Sequence, residues 1–538
     1  MMRRRPYAVR RALVLVAAAF VVLGPSGVRA QAADVSSVAP PARFADPQRL
    51  AKLSTAFTEI DGLMRAFAER SRVPGIAYGI IVDGQLVHVG SAGYRELRSR
   101  SPVDTSSVFR IASMSKSFTA VAILQLRDAG RLSLEDPVER YVPELSGLRY
   151  PTDDSPKLTI RHLLTHSEGF PEDNPWGDQQ LAITDAEMSA LMRRGIPFST
   201  APGTAYEYSN YGFAILGRIV ANVSGMPYAS YLTERVLQPL GMTSTTLEAT
   251  AVSPQRLAHG YRWQDTTWLE EKQLPDGAFG PMGGMLTSIA DLARWVGLML
   301  DAFPPRDGDD RGPLRRASLR EMQQLARYSG ATAVRDANTG TVALNAGGYG
   351  YGLRIAQTCL FRTSVSHSGG LPGFGSLMRW LPEHGVGIVA LGNVTYTGWS
   401  GVVEHSFGAL ARTGGLVPRA PQPAPVLLHR QEQVTRLVLR WDDALADSLA
   451  AMNLFLDESK PRRRAALERV RQQAGDQCRP DGSIDAENAL RGRWRLRCST
   501  SDLRVAITLA PTEPAGVQFL DVSAVRREDT LTAPAACR

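Results

Sequence analysis

"FRIASMSKSFTAVAILQL", residues 109–126, places Ser113 three residues before Lys116 at the start of a largely apolar stretch. The apolar residues predict a helix that faces the core. Residues three apart lie on the same helical face, so the hydroxyl of Ser113 and the amine of Lys116 are expected to meet. The alternative is a lysine that extends its ammonium past a helix end into solvent.

The start of a helix is a suitable place for a reactive serine. Helix N-termini carry positive potential and unpaired backbone N–H groups, which favour a neutral lysine and stabilise an oxyanion. A neutral Lys116 can accept the proton of the Ser113 hydroxyl, which activates the oxygen as a nucleophile. A Ser-x-x-Lys pattern also arises by chance, so it needs support from elsewhere in the chain.

Two further motifs give that support. Tyr208-Ser209-Asn210 puts a tyrosine and an amide on alternating positions just before a predicted helix. His367-Ser368-Gly369-Gly370 lies on a predicted strand. Small residues after the histidine let a substrate backbone approach the strand edge, where the Gly370 N–H is expected to act as a donor.

In this order, the three motifs resemble the signature of the serine β-lactamase and penicillin-binding-protein superfamily. The Tyr-x-Asn form resembles the class C β-lactamase-related branch, which also holds DD-carboxypeptidases, D-aminopeptidases and esterases. The resemblance covers about residues 50–412. It implies an α+β fold, in which helices flank an antiparallel sheet beside a helical subdomain, and a serine hydrolase that uses no cofactor.

The resemblance also implies a role for each motif residue. Ser113 matches the acylating nucleophile, Lys116 its proton partner, and Tyr208 the tyrosine that shuttles protons. Asn210 matches the amide that orients substrate and lysine. The predicted substrate-binding residues are Asn210, His367, Ser368, Gly369 and Gly370. The backbone N–H groups of Ser113 and Gly370 would form the oxyanion hole.

One position departs from the β-lactamase pattern, because His367 stands where those enzymes usually have lysine. Histidine titrates near neutrality, so it is a weaker partner for a carboxylate than a permanent cation. The departure favours hydrolysis of a D-amino-acid peptide, of DD-carboxypeptidase or amidase type, with a small molecule or peptidoglycan-like peptide as substrate. The alternatives are an esterase, a weak class C-like β-lactamase, or a penicillin-binding sensor that acylates without turnover.

The N-terminus predicts export to the periplasm or the medium. Residues 1–30 combine a basic start, an apolar run and a small-residue exit, which is typical of a cleaved signal peptide rather than a membrane anchor. They hold six arginines and no acid, so only +2 of the net charge of +8 remains for the rest of the chain. That small excess argues against a nucleic-acid partner.

The remaining chain predicts two folded units. Residues 31–49 are expected to be a flexible leader, Asp83-Gly84 a hairpin turn, and strands are expected to return between Tyr349 and Asn393. The simplest arrangement is one sheet built from both ends of the catalytic region, 50–412. Residues 413–425 are predicted to be a Pro/Gly-rich linker, and 426–538 a small α+β domain of unknown role.

The cysteines leave three pairings open, with Cys478–Cys498 preferred because a short loop separates them. No metal site is expected, because His162 and His166 lack the glutamate of a zinc protease.

Three other stretches have structural interpretations. Ser115 is predicted to be structural because it points away from Lys116 on a helix. Ser167 and Glu168 are expected either to line the cleft or to form a solvated turn. "GGYGYGLR", residues 347–354, is predicted to be a glycine-rich turn or edge strand, because it lacks the lysine of a phosphate-binding loop.

Overall fold

The computed structural model describes residues 36–335 and 342–528. The predicted signal peptide lies outside these residues. The helices are α1 (Arg49–Ser54), α2 (Phe57–Arg70), α3 (Ser115–Asp128), α4 (Ile160–Leu164), α5 (Asn174–Gly177), α6 (Asp185–Arg194), α7 (Asn210–Ser224), α8 (Tyr228–Leu232), α9 (Gly280–Gly283), α10 (Ile289–Asp301), α11 (Arg316–Met322), α12 (Ser400–Arg412), α13 (Pro425–Leu439), α14 (Asp443–Leu449), α15 (Leu454–Asp457) and α16 (Lys460–Ala474).

The strands fall into a nine-stranded sheet, two small pairs and a four-stranded C-terminal sheet. They are β1 (Gly75–Val82), β2 (Gln85–Glu96), β3 (Ser101–Pro102), β4 (Phe109–Arg110), β5 (Tyr261–Gln264), β6 (Thr267–Glu270), β7 (Leu286–Thr287), β8 (Arg327–Arg335), β9 (Val342–Tyr349), β10 (Arg354–Thr358), β11 (Ser364–Leu371), β12 (Phe374–Leu381), β13 (Val386–Gly392), β14 (Arg479–Asn488), β15 (Arg491–Arg497), β16 (Asp502–Leu509) and β17 (Val517–Val525).

Strands from both ends of the catalytic region form one sheet, as predicted. Its order is β3-β2-β1-β13-β12-β11-β10-β9-β8, and β1 pairs antiparallel with β13 from Ile76↔Gly392 to Val82↔Val386. The predicted hairpin turn joins β1 to β2, with Asp83 and Gly84 both at positive φ (50° and 80°). That conformation is the one a two-residue hairpin loop requires.

The sheet is covered by helices on both faces, so its interior strand β1 is buried throughout. Every residue of β1 is buried. Ala77 and Ile81 pack into the core that contains α3, α7 and α10, whereas Ile76 and Ile80 pack into the core with α2 and α12. This division explains why β1 is a continuous apolar run rather than an alternating one.

Strands β8 and β9 were not predicted, and they extend the sheet beyond its expected edge. Their sequences, "RYSGATAVR" and "VALNAGGY", are rich in small and polar residues. Most of β9 is solvent-exposed. An exposed edge strand needs no apolar alternation, so the sequence carried no clear indication of it. The stretch 347–354, predicted to be a glycine-rich turn or edge strand, contributes the end of β9 and, through Arg354, the start of β10.

Two long helices begin after a serine cap. Ser209 caps α7, with its Oγ accepting from the Gly212 N–H at 3.2 Å. Ser288 caps α10, with its Oγ accepting from the Asp291 N–H at 3.3 Å. Such caps satisfy backbone donors that a helix start leaves unpaired.

The last part of the chain has a core of its own. Apolar residues between Ala424 and Leu520 form it, with Trp494 among the fully buried ones. Strands β14 to β17 form a four-stranded antiparallel sheet. In the segment 413–425, Ala420 bridges to Arg43 of the leader. Within the ranges that the structure covers, no helix is long and apolar enough to cross a membrane.

The predicted Cys478–Cys498 disulfide is present and closes a loop with a sequence separation of 20 residues. Replacing both cysteines by serine should lower the stability of the C-terminal unit by about 3 kcal/mol, because the unfolded chain regains loop entropy. Urea unfolding of the two proteins measures the difference. An unchanged midpoint would contradict the expectation.

Candidate active site

Ser113 lies on the 3-10 turn Ala112–Met114, two residues before the first residue of α3. The expectation that it lies within the helix is corrected to this extent. A 3-10 turn brings residues three apart onto one side, so the contact with Lys116 is retained. Ala112 has a positive φ of 49°, an uncommon conformation for a residue with a side chain. This strained turn presents the Ser113 hydroxyl to a cleft.

Lys116, in the first turn of α3, is fully buried. Its Nζ donates to Asn210 Oδ1 at 2.6 Å and to the Met282 carbonyl oxygen at 2.9 Å. The same nitrogen lies 3.0 Å from Ser113 Oγ. Carbonyl oxygens only accept, so they take both hydrogens of a neutral amine and leave its lone pair for the serine hydroxyl.

Burial lowers the pKa of Lys116 to about 7, and the nearby carboxylates of Asp178 and Asp173 partly oppose that change. The amine of an ordinary lysine is protonated at neutral pH. Here a large fraction of the amine is neutral near pH 7, so it can accept a proton from Ser113.

Tyr208 completes the group around the serine. Its ring centroid lies 4.8 Å from Lys116 Nζ, and the ring of His166 packs 4.2 Å away. Burial raises the pKa of the Tyr208 hydroxyl, and the interaction with Ser113 opposes this only in part. The hydroxyl therefore stays protonated across the physiological range.

The first residue of α7, Asn210, is fixed from several sides. Its backbone N–H and that of Tyr211 donate to the Asp173 carboxylate at 2.6 and 2.9 Å. Its amide nitrogen donates to Asn174 Oδ1 at 3.1 Å. Sequence reasoning missed Asp173 and Asn174, which act on a helix 36 or more positions away. Their contacts hold the Asn210 oxygen toward Lys116.

Gly369 allows β11 to approach the nucleophile turn. A Cβ at Gly369 would lie 2.0 Å from the Ile111 carbonyl oxygen, inside any permitted contact. The pairing of β10 with β11 ends at Ser366. The following residues, including Ser368 and Gly370, line the cleft. The strand edge is thus placed beside Ser113 as predicted.

His367 is buried, and the protein uses both of its ring nitrogens. Nδ1 lies 2.6 Å from the Ser368 carbonyl oxygen, so Nδ1 carries the proton. Nε2 then accepts from the Tyr349 hydroxyl at 2.7 Å. Burial, with the positive charges of Lys116 and Arg354, holds the pKa of His367 well below its usual value. This histidine is neutral and has no N–H left for a substrate.

Arg354 is a cleft residue that the sequence interpretation missed. It pairs with Ser366 across β10 and β11, so its side chain shares a face with Ser368, two residues further along. The guanidinium carbon lies 5.8 Å from the Tyr208 ring centroid. The cleft therefore has a permanent cation beside Ser368, although its strand histidine is uncharged.

The cleft has a volume of about 770 Å³, within the range of small-molecule sites. Ser113 and the β11 edge face Glu172 and Asp178 across it. Tyr396, from the loop after β13, donates to Asp178 at 2.8 Å. The complete lining is Ser113, Glu172, Asn174, Pro175, Asp178, Tyr206, Glu207, Tyr208, Arg354, His367, Ser368, Gly369, Gly370, Tyr396, Thr397, Gly398, Trp399 and Ser400.

Several other residues that the sequence singled out do not line the cleft. Ser115 is structural as predicted: its Oγ donates to the Ala112 carbonyl and accepts from the Met285 N–H. Ser167 and Glu168 neither line the cleft nor form a solvated turn, because both are fully buried beneath it. His162 lies in a capping box at the start of α4.

Comparisons with known proteins agree with this geometry. A family profile described as Beta-lactamase matches residues 60–413. Penicillin-binding protein 4* of Bacillus subtilis (strain 168) is 29% identical over 318 residues, 58% of this chain and 66% of that protein. Protein flp of Staphylococcus aureus (strain COL) is 27% identical over 349 residues, 64% of this chain and 65% of the relative. The chain thus spans slightly less than two thirds of each relative.

Two solved structures share the fold. The octameric penicillin-binding protein homologue from Pyrococcus abyssi has a TM-score of 0.52 and 21% identity, and the match covers 87% of this chain and 98% of that one. The penicillin-binding protein from Bacillus halodurans has a TM-score of 0.50 and 23% identity, with coverage of 66% and 99%. At these identities the likeness concerns the fold.

The lowered pKa of Lys116, about 7, predicts how Ser113 reactivity depends on pH. Modification by an uncharged fluorophosphonate should accelerate as Lys116 loses its proton, reach half its maximal rate near pH 7 and then level off. Mass spectrometry of the modified protein over time measures the rate. A flat rate from about pH 5 to pH 9 would contradict the role of the amine as proton acceptor.

Gly369→Ala should slow the same modification by about 10²-fold, because β11 or the nucleophile turn must shift. Gly62→Ala, in α2, is the control. A Cβ there would meet no atom within 4 Å, whereas at Gly369 it meets backbone. Equal effects at the two positions would show that the close approach at Gly369 has no special importance.

Proposed function

The chain belongs to the beta-lactamase family, and we propose on that premise that it is a serine hydrolase forming an acyl-enzyme on Ser113. The observation that carries this proposal is the buried Lys116 amine, 3.0 Å from Ser113 Oγ, whose two hydrogens are directed to other acceptors. A lone pair aimed at a serine hydroxyl in an open cleft is the arrangement that activates a nucleophile.

In the proposed acylation step, Ser113 Oγ attacks the substrate carbonyl carbon while its proton passes to Lys116 Nζ. The backbone N–H groups of Ser113 and Gly370 would hold the developing oxyanion. The bond from the carbonyl carbon to the leaving nitrogen or oxygen then breaks. The proton from Lys116 passes through the Tyr208 hydroxyl to the leaving group.

In the proposed deacylation step, water attacks the acyl carbon and gives up a proton. The bond from that carbon to the Ser113 oxygen breaks, and the oxygen takes up a proton. Tyr208 would act as a neutral relay, because its raised pKa disfavours the phenolate. Lys116 is the group whose pKa, about 7, suits a base at neutral pH. Asn210 supports both steps by holding Lys116 in place.

We further propose that the substrate is a D-amino-acid peptide with a free terminal carboxylate, cleaved in the manner of a DD-carboxypeptidase. Arg354 and Ser368 support this assignment, because they share a sheet face beside the nucleophile. A guanidinium and a hydroxyl can bind a carboxylate through charge-assisted hydrogen bonds. Arg354 would thereby supply the cation that neutral His367 does not.

The same pair favours a second candidate, a weak β-lactamase, because most β-lactams also carry a carboxylate. Export, cleavage of residues 1–30 and a peptidoglycan-like substrate outside the cytoplasm complete the proposal. The C-terminal unit, 426–538, is proposed to be a separate domain, and none of its residues that the structure describes, up to 528, lines the cleft.

Ser113→Ala should abolish turnover of every substrate and the formation of any covalent adduct. The experiment mixes the mature protein with a D-Ala-D-Ala peptide or a β-lactam, then measures released product and protein mass. Rapid release of D-alanine supports the peptidase, whereas a persistent adduct supports a non-turnover sensor. An adduct that forms equally in Ser113→Ala would overturn the nucleophile assignment.

Arg354→Gln should lower kcat/KM for a peptide with a free terminal carboxylate by about 10²-fold. The same peptide with a terminal carboxamide should change by less than about threefold. The Arg354 charge lowers the pKa of Lys116, so the variant must be compared at about pH 9, where the amine is neutral in both proteins. Arg354→Lys, which keeps the charge, is the control. Equal losses with both peptides would exclude Arg354 as the carboxylate partner.

A further inference from the structure

A second large cavity, of about 810 Å³, shares no lining residue with the active-site cleft. The leader segment 42–44, the β1–β2 turn, α10 and the loop that follows α10 form its walls. Five arginines and two aspartates line it: Arg43, Arg294, Arg306, Arg311, Arg419, Asp83 and Asp301. The cavity is therefore strongly basic, although the chain beyond residue 30 carries a net charge of only +2.

Phe44 and Asp83, which line this cavity, contact the buried Arg49, which does not line it. The guanidinium carbons of Arg49 and Arg419 lie 3.9 and 4.4 Å from the Phe44 ring centroid. Arg49 pairs with Asp83 at 2.8 Å, and Arg419 lies 3.9 Å from the same carboxylate. Burial and the repulsion of neighbouring arginines lower the pKa of Arg419. Two guanidinium groups, those of Arg49 and Arg419, thus share the single carboxylate of Asp83. Their summed charge exceeds that of this carboxylate by one.

The positive charge of these arginines also affects the pKa of the neighbouring His384. Burial and the charges of Arg49 and Arg419 lower the pKa of His384 to about 4, so the ring is neutral. The histidine therefore does not add to the positive charge. An anion in the cavity would be stabilised by the positive potential of the lining arginines.

Four further arginines line the cavity, and two of them are paired with carboxylates. Arg306 pairs with Asp301 at 2.5 Å, and Arg294 pairs with Asp291 at 2.8 Å. Arg43 and Arg311 are exposed, and neither forms an ion pair with any residue that the structure describes. Two guanidinium groups thus remain at the mouth of a cavity whose interior is already positive.

We propose that this cavity binds a phosphate-bearing ligand, with Arg43 and Arg311 as direct partners. The guanidinium fork matches the spacing of phosphate oxygens and can bind them through two parallel hydrogen bonds. A doubly charged phosphate neutralises more of the excess than a single carboxylate does. The cavity is large enough for a small ligand or for the head of a larger one. The site is independent of the hydrolase assignment.

The test compares pyrophosphate binding by the full-length mature protein and by Arg43→Gln/Arg311→Gln, measured by calorimetry at fixed ionic strength. The matched control is Arg98→Gln/Arg149→Gln, which removes two exposed arginines outside the cavity. The cavity variant should bind at least about tenfold more weakly, and the control should stay within about twofold. An unaltered far-ultraviolet circular dichroism spectrum and thermal unfolding midpoint show that each variant is folded.

A second arm identifies the source of the phosphate. Vesicles of equal parts phosphatidylglycerol and phosphatidylcholine test a lipid headgroup, and pyrophosphate tests a soluble ligand. Vesicle binding that pyrophosphate displaces, and that the cavity variant lacks, supports the headgroup. Saturable pyrophosphate binding alone supports the soluble ligand. Absence of both, or an equal loss in the control variant, overturns the proposal.

Discussion

The active site depends on the burial of the Lys116 amine against oxygen atoms that can only accept hydrogen bonds. Lys116 gives its hydrogens to Asn210 and Met282 and keeps its lone pair for Ser113. A buried ammonium is costly, so the same burial that positions the amine also lowers its pKa to about 7. The elements around it meet this requirement together: α3 carries the lysine, α7 presents the amide, and α9 turns a carbonyl inward.

The charges of the cleft are distributed differently from what its third motif suggests. His367 occupies the strand position of a β-lactamase lysine, yet its nitrogens are bound to Ser368 and Tyr349 and its ring is neutral. The permanent cation of this region lies instead on the next strand, at Arg354. Because Arg354 also lowers the pKa of Lys116, one residue can influence both carboxylate recognition and the strength of the base.

Much of the fold was predictable where burial imposes a pattern on the residues. The β1–β2 hairpin has an Asp-Gly turn, α7 and α10 have serine caps, and their apolar faces recur at helical spacing. The exposed strands β8 and β9 lack such a pattern and were missed. The predictions for Ser167 and Glu168 were also wrong. Polar residues next to a glycine favour a solvated turn, and the neighbouring sequence does not indicate that both residues are buried.

By itself the sequence determined which chemical groups exist and which of them are local neighbours. Ser113 and Lys116 are three residues apart, so backbone geometry alone brings them together. Only the tertiary structure decided the state of those groups. The pKa of Lys116, the tautomer of His367 and the place of Arg354 depend on residues far away in the chain, such as Asp178 and Tyr349. Desolvation and hydrogen bonding act through space, and a sequence pattern does not record distance.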